Sequence, residues 1–441
     1  MTVRLLVVVV ISALGAQFSA LGARHSALGG GGDPAVDSAA AARGAWREMG
    51  RAERAGDLAG AWVAVGRAVA AWPEQPTYLE GLAVLAARRS DTTALLGALE
   101  RLGIFEAAGF SVRDSAVARM ATGPAVGRGL TRLRGSVAAR PVSRPWATLT
   151  DTTLYAEGLD ADSATGTVFV TSVRHRTIYQ VTRGGEPRDL GLARWPRVGS
   201  ILGVRFDPVR QVIWATTAGL PAMTGYQPAD SSIAALLKVR IADGTIEARY
   251  DLPDGAGHVL GDLAIGPAGD VFVTDSRSPN VYRLAPGAES LTTFAHPLFR
   301  SLQGVAPTPD GTAVFLADYS HGLLRWNLAT GAVTRLSAPP GTSSLGVDGI
   351  VLDGARIFAI QNGVAPARLV RFDLEPSGER IAAVSIVDRH LPLADEPTIA
   401  TRLGSDLLYV ANSQWEKYDD RGRRLPGTAL APTVVLSLKI R

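Results

Sequence analysis

Four oxygen-bearing side chains stand beside glycines at distant but similar points of the chain: Glu157-Gly158, Gly261-Asp262, Gln303-Gly304 and Asp348-Gly349. A fifth acid, Glu396, precedes Pro397-Thr398-Ile399. Carboxylates gathered in one place repel one another unless a cation or a proton intervenes. Oxygen-only ligands with a neutral amide among them suit a hard divalent cation, such as calcium, magnesium or manganese. Glu157, Asp262, Gln303 and Asp348 are therefore a candidate metal set, completed by water. A cation held there could polarise an ester carbonyl or activate a water. Asp348, or His258 just before Gly261-Asp262, is the candidate proton carrier. The competing reading is plain turn chemistry, since Gly-Asp and Asp-Gly are ordinary turn pairs. His258 follows Gly255-Ala256-Gly257 and is equally well read as a polar loop residue.

These residues can meet only if the fold gathers them, and the chain carries a pattern that would. A turn and an apolar triplet lead into an apolar strand, and a second apolar strand follows, six times over. The strand cores read Val168-Phe169-Val170, Val212-Ile213-Trp214, Val271-Phe272-Val273, Val314-Phe315-Leu316, Ile357-Phe358-Ala359 and Leu408-Tyr409-Val410. Such a repeat of strands and turns is the signature of a β-propeller. The expected fold is mainly β: a six-bladed β-propeller over 146–441, with a small N-terminal α-helical domain.

Within each blade the segment after the Glu/Asp/Gln-Gly turn is read as the innermost strand. Second strands are then expected at 167–172, 212–217, 271–276, 313–319, 356–362 and 407–413, and third strands at 177–181, 235–241, 281–284, 323–328, 368–374 and 434–440. The chain ends just past the sixth third strand. An outer strand is needed to avoid an open edge, and the natural donor is Arg144 to Asp151. Antiparallel order puts the turns entering the inner strands on one face with the loops joining second to third strands. Asp275, Asp318, Asn362 and Asn412 fall at those strand exits. Asp318, Asn362, Glu396 and Asn412 are the expected substrate-binding groups, although the strand-exit acids could equally brace neighbouring backbone. The two longest loops on that face, Ala218–Ala234 and Gln414–Pro432, are candidate lids, because long loops in compact domains are more often functional than idle.

Composition narrows the partners. The 441 residues carry a net charge of +4, and lysine occurs only at Lys238, Lys417 and Lys439. No dense basic stripe with interleaved aromatics is present, which argues against nucleic acid. The chain has no cysteine, so disulfides, thiolate metal sites, Cys nucleophiles and a lipid-modified Cys anchor are excluded. No Gly-x-Ser-x-Gly elbow, phosphate-binding loop or dinucleotide fingerprint occurs.

The first 29 residues read as a signal peptide: Arg4, an apolar run from Leu5 to Ile11, then small residues in a Ser-Ala-Leu-Gly repeat. Read as an uncleaved segment, it would be an N-terminal membrane anchor. Both readings put the protein outside the cytoplasm, periplasmic or secreted, and the Arg-over-Lys, Ala-rich bias fits a bacterial source. Residues 34–122 have Ala, Leu and Arg at helical spacing. The stretch Gly56-Asp57-Leu58, Ala61, Val65, Ala68-Val69, Pro73 resembles the second helix of a tetratricopeptide repeat, and a weaker copy follows at Ser90 to Leu102. Two such repeats are too few to stand alone, so this domain is expected to lean on the propeller or on a partner. Residues 123–145, rich in Gly, Pro and Arg, read as a linker.

Over 146–441 the chain resembles the senescence-marker-protein/gluconolactonase family. The likeness rests on Glu157-Gly158, on Gln303-Gly304-Val305 with Pro309-Asp310-Gly311, on Asp348-Gly349-Ile350, and on Asp318-Tyr319 with Gly322-Leu-Leu-Arg-Trp-Asn327. The resemblance implies a divalent cation in the channel, with Glu157 and Asp348 at matching ligand positions and Asp348 as the base in lactone hydrolysis. Gln303 replaces an expected Asn, and Asp262 is the nearest match to another. Two functions follow as expectations. One is a divalent-cation-dependent lactone or ester hydrolase acting on a sugar-like small molecule. The other is a non-enzymatic module that binds a protein, peptide or glycan through the helical repeats and the propeller face.

Overall fold

Runs such as Val168-Phe169-Val170 and Val314-Phe315-Leu316 have no polar alternation, so both of their faces need cover. The computed structural model, which describes residues 34–109, 114–252 and 257–440, supplies it by stacking six four-stranded antiparallel sheets around an axis. Strand β1 (Arg144–Leu149) comes first in the chain but belongs to the last sheet. Blade 1 is β2 (Ala156–Asp162), β3 (Thr167–Ser172), β4 (Thr177–Val181) and β5 (Arg188–Asp189). Blade 2 is β6 (Ser200–Asp207), β7 (Val212–Ala218), β8 (Ala234–Arg240) and β9 (Ile246–Asp251). Blade 3 is β10 (Leu260–Ile265), β11 (Val271–Asp275), β12 (Asn280–Leu284) and β13 (Thr292–Ala295). Blade 4 is β14 (Leu302–Pro307), β15 (Ala313–Asp318), β16 (Gly322–Asn327) and β17 (Val333–Arg335). Blade 5 is β18 (Val347–Asp353), β19 (Arg356–Gln361), β20 (Arg368–Leu374) and β21 (Ile381–Asp388). Blade 6 is β22 (Ala400–Leu403), β23 (Asp406–Val410) and β24 (Thr433–Lys439). β3, β7 and β15 are buried along their whole length, as strands sandwiched between neighbouring sheets must be.

The ring closes as the sequence suggests. β1 pairs antiparallel with β24, Leu149 opposite Thr433 and Arg144 opposite Ser437. The N-terminal strand thus fills the outer place of blade 6 and removes an unpaired edge.

Ahead of the ring lie α1 (Pro34–Arg54), α2 (Leu58–Ala71), α3 (Pro76–Arg88), α4 (Thr92–Ile104), α5 (Ser115–Met120) and α6 (Pro124–Ser136). Asp57 and Asp91 cap α2 and α4 by accepting from the Gly60 and Ala94 N–H groups, each satisfying an orphan donor of the first turn. Ala61 and Ala68 are fully buried between the helices, the close approach their small size allows. The linker reading of 123–145 is corrected: most of that stretch is α6. Gly123 and Pro124 start it, an arrangement favoured at helix N-termini, and Val126, Leu130 and Leu133 bury one face. Gly129 lets the helix approach α4 closely; a Cβ there would sit 3.0 Å from Leu96. The expected signal peptide lies outside the described residues, and among those residues no helix is long and apolar enough to cross a membrane.

The helices lean on the propeller, on its loop face at blades 4 and 5. Arg389, with no exposed surface, donates to the carbonyls of Ser136 and Ala138 and to Glu106 Oε2 at 2.7 Å. Arg368 donates to the Phe105 and Glu106 carbonyls. Arg335 pairs with Glu74 and lies 4.6 Å over the Trp72 ring. Leu345, from the loop before β18, is part of the helical core.

Candidate functional site at the channel mouth

Five of the six inner strands break register with their neighbours at the same place, between Ala156 and Leu159, Ile201 and Val204, Leu260 and Leu263, Leu302 and Val305, and Val347 and Ile350. A bulge re-aims side chains and recurs beside functional sites. Here it lifts Glu157, Gln303 and Asp348 out of the ladder, each followed by a glycine. The glycine is required by the neighbouring blade. A Cβ on Gly158 would lie 2.0 Å from the Leu202 carbonyl oxygen, and one on Gly304 would lie 2.7 Å from Asp348 O and Ile350 N. Where β3 and β11 carry a threonine, that threonine ties adjacent blades: Thr171 Oγ1 accepts from Gly158 N and donates to the Leu202 carbonyl.

That threonine contact also corrects the position of Asp262. The N–H groups that reach the second-strand threonines are those of Gly158, Gly203 and Asp262. Asp262 therefore occupies the glycine position of blade 3, and Gly261 occupies the place held by Glu157, Gln303 and Asp348. The Asp262 side chain turns to Arg205, 3.3 Å away, and accepts from Leu263 N at 2.8 Å. Burial raises its carboxyl, and the Arg205 guanidinium opposes that rise.

Gln303 is engaged sideways, with Ser276 Oγ donating to its Oε1 at 3.3 Å and its Nε2 3.5 Å from Ser301 Oγ. Among the described residues, no three histidine, aspartate or glutamate side chains stand close enough to share one metal ion. The four-ligand set is thus not assembled.

What does converge is Glu157, Asp348 and Asn362. Glu157 Oε2 accepts from Trp415 Nε1 at 2.6 Å and from Ser413 Oγ at 3.0 Å, leaving Oε1 with no partner among the described residues. Asn362, at the exit of β19, donates to Asp348 Oδ2 at 2.7 Å and to the Pro397 carbonyl at 2.8 Å. Its own Oδ1 is buried and has no partner among the described residues, an arrangement that native interiors usually avoid. Burial pushes the Glu157 carboxyl up to about 7, with Asp262 adding to the rise and Trp415 and Ser413 opposing it. Asp348 is pushed well above the usual carboxylate range, by burial first and then by Glu157, with Asn362 opposing. Glu396 is raised as well, by burial and by Glu416.

The remaining expected groups have structural tasks. Asp318 is fully buried and accepts four backbone N–H groups, those of Arg300, Ser301, Ser320 and His321. It staples two loops of its own blade and has no oxygen to spare for a substrate. Asn412 accepts from Val434 N and donates to the Pro432 carbonyl, fixing the base of the long blade 6 loop. His258 is held by Asp275, Nδ1 to Oδ2 2.6 Å, beside the Tyr282 hydroxyl. It belongs to a blade 3 cluster with Asp275 and Tyr282.

The two candidate lids prove to be one assembly. Tyr155 stacks on Tyr418 at 4.8 Å and meets Trp415 edge-on at 4.7 Å, and Leu220 and Ala222 of the other loop pack into the same cluster. This assembly spans blades 6, 1 and 2, while the helices span blades 4 and 5. Trp415, Tyr319 and the helical residue Arg43 were not singled out as site residues in the sequence. An indole inside a loop already marked by its length was the available signal for Trp415, and Tyr319 follows directly on Asp318.

No protein-family model matches the chain, and no curated protein matches it. Several solved structures align with it in part. A calcium-binding protein, regucalcin, from Agrobacterium tumefaciens aligns at 17% identity over 69% of this chain and 96% of its own, with a TM-score of 0.47. A catalytically inactive histidine-to-alanine variant of virginiamycin B lyase from Staphylococcus aureus, solved with quinupristin, aligns at 16% identity over 65% and 80%, with a TM-score of 0.44. A streptogramin B lyase aligns at 15% identity over 68% and 100%, with a TM-score of 0.44. At these identities the likeness speaks to architecture alone, and the chemistry of this mouth has to be read from its own residues.

Two buried carboxyls influence each other there. Burial raises Glu157 to about 7 and Asp348 well above the usual carboxylate range, and Glu157 adds to the rise of Asp348. Like charges so placed make it costly for both to be ionised at once.

Proposed function

We propose that the channel mouth is a site for a small, hydroxyl-rich ligand such as a sugar lactone or ester, opened there by hydrolysis. The observation that carries this reading is the Glu157–Asp348 pair with the unpartnered Asn362 oxygen beside it. Glu157, titrating near 7, is the proton acceptor for an attacking water. Asp348, whose carboxyl burial and then Glu157 push well above the usual range, is the donor to the leaving oxygen. This reverses the role expected for Asp348 from the family resemblance. Trp415 and Ser413 hold Glu157 Oε2, which leaves Oε1 for the water.

A divalent cation is part of the proposal in a reduced form. Glu157, the Asn362 carbonyl and, once it has given up its proton, Asp348 are hard oxygens that fit calcium, magnesium or manganese, whereas Asp262 and Gln303 are engaged elsewhere. When bound, such a cation would supply Lewis-acid polarisation of a carbonyl oxygen. The alternative, a recognition module for a protein, peptide or glycan, keeps only the outer helical surface, because the inner one is used against blades 4 and 5.

The test is proton release from simple aldonolactones and acyl esters by the purified protein, with and without chelator. Glu157→Gln and Asp348→Asn should each lower turnover by about 100-fold or more. Turnover that survives both substitutions would remove the pair from the reaction. No turnover, together with no shift in melting temperature on adding calcium, magnesium or manganese, would leave the recognition module.

A further inference from the structure

A cavity of about 110 Å³ lies between the helices and the propeller face. Its roof is Arg43 of α1 with Trp72 and Tyr78; its floor is Tyr319 over Gly346 and Gly363. The two glycines face each other so closely that a Cβ on Gly363 would sit 2.5 Å from Gly346 Cα and 2.7 Å from the Tyr319 ring. Tyr319 joins this space to the site: its hydroxyl is raised far above its usual range by burial and then by Asp348 and Glu396. It therefore remains a neutral O–H donor between the cavity and the carboxyls.

Arg43 is held in a way that leaves its charge unspent. Its Nη1 donates to His321 Nε2 at 2.7 Å. His321 Nδ1 lies 2.6 Å from the Leu298 carbonyl, so Nδ1 carries the proton and Nε2 is the acceptor. Burial keeps that imidazole neutral. The nearest acid, Asp318, already has its oxygens filled by backbone N–H groups. Arg300 adds a second positive charge close by. A guanidinium, always charged at physiological pH, is thus partly buried against a neutral partner, where its fork suits a carboxylate.

We propose that this cavity is the anion subsite of the channel site, and that the ligand is a sugar acid that keeps a carboxylate free for Arg43, such as a uronate or the monolactone of an aldarate. The proposal rests on the reading of the mouth as a small-molecule site and names the class of molecule it takes. The cavity has room for several waters. It therefore fits the carboxylate end of such a molecule, with the hydroxyl-bearing remainder reaching past Tyr319 toward Asp348.

The experiment compares D-glucuronate with D-glucose, which differ in a carboxylate for a hydroxymethyl group, by calorimetry and by the fluorescence of the protein, to which Trp72 contributes from the cavity wall. The full chain should bind glucuronate at least about tenfold more tightly, the size of one charge-assisted contact. Arg43→Gln should abolish that preference and leave glucose binding unchanged, while Arg43→Lys, retaining the charge, should keep part of it. Melting temperatures of the variants show whether the fold is intact. Equal affinity for the two sugars, no binding of either, or a preference that persists in a folded Arg43→Gln protein would overturn the proposal. Loss of the preference in Arg43→Gln, with Asp348→Asn binding both sugars normally, would keep the subsite and remove the channel reading instead.

Discussion

Asn362 donates one amide N–H to Asp348 Oδ2 at 2.7 Å and leaves its own carbonyl oxygen buried without a partner. The amide therefore orients a carboxyl that burial pushes well above the usual carboxylate range, and it presents an acceptor without a partner among the described residues at the same point. A ligand hydroxyl or a cation would satisfy that acceptor. Replacing Asn362 by Leu removes the orphan oxygen together with the contact to Asp348. We expect the variant to lose about 1–3 kcal/mol of stability, since Asp348 Oδ2 and the Pro397 carbonyl are left without their donor, and to lose ligand binding. Denaturant titration alongside calorimetry with a sugar ligand checks both halves; unchanged binding would exclude Asn362 from the site.

Glu157 links the site to pH. Its folded carboxyl is raised to about 7, above the value of an exposed glutamate. The folded state then holds a proton that the unfolded chain gives up, so this group's contribution to stability falls as pH rises from about 4.5 to about 7. Above that window the cost is complete, at most about 3 kcal/mol. Glu157→Gln, which can still accept from Trp415 and Ser413, should be the more stable protein at pH 8 and match the parent at pH 4. Melting curves of the two across pH 4–8 should diverge in this sense, and parallel curves would contradict it.

The bulge glycines hold the mouth in shape. In Gly304→Ala the new Cβ would meet backbone atoms of blade 5 at 2.7 Å, which cannot swing aside. We expect a loss of about 1–3 kcal/mol, read as a lower denaturation midpoint. Gly97→Ala in α4 has nothing within 4 Å of the new methyl and should gain about 0.5–1 kcal/mol. A neutral Gly304→Ala would mean that the blades are not in the contact described.

The strand plan was legible because every second and third strand is an apolar run bounded by turns, and the lone closing strand followed from the edge it had to cover. Helix α6 was not legible. Its Gly127, Gly129 and Gly135 look like linker residues until Gly129 is seen against Leu96 of α4. The site was half legible. Glu157 and Asp348 could be matched by their following glycines, but Gly261-Asp262 reverses the order, and only the Thr274 contact reveals the slip. Trp415 reaches Glu157 across 258 positions of sequence, and Arg43 reaches His321 across 278. No local pattern encodes either meeting.

Arg389 is the clamp between the helices and the ring. It has no exposed surface and serves two carbonyls and Glu106. Arg389→Ala removes all of these bonds and leaves buried acceptors unpaired. Breaking one side of such a pair costs about 3 kcal/mol. The loss should fall on docking: limited proteolysis should release or degrade residues 34–136 while the propeller stays resistant. Equal resistance of both parts in the variant would show that other contacts suffice.

Glu80 supplies the last test, away from the site. It lies on α3, and burial alone raises its carboxyl to about 8. The folded helix layer thus keeps a proton that the unfolded chain releases above about 4.5, and stability declines through the interval up to about 8. The cost above that interval is on the order of a few kcal/mol. Glu80→Gln keeps the shape and removes the ionisation, so its advantage over the parent should be near zero at pH 4, grow through pH 6 and be largest at pH 8.5. Measuring the difference between the two proteins, rather than either curve alone, separates this effect from that of Glu157, since distant sites contribute additively. A difference that does not change with pH would mean that Glu80 is already solvated, and α3 would then have to sit less deeply against its neighbours than described.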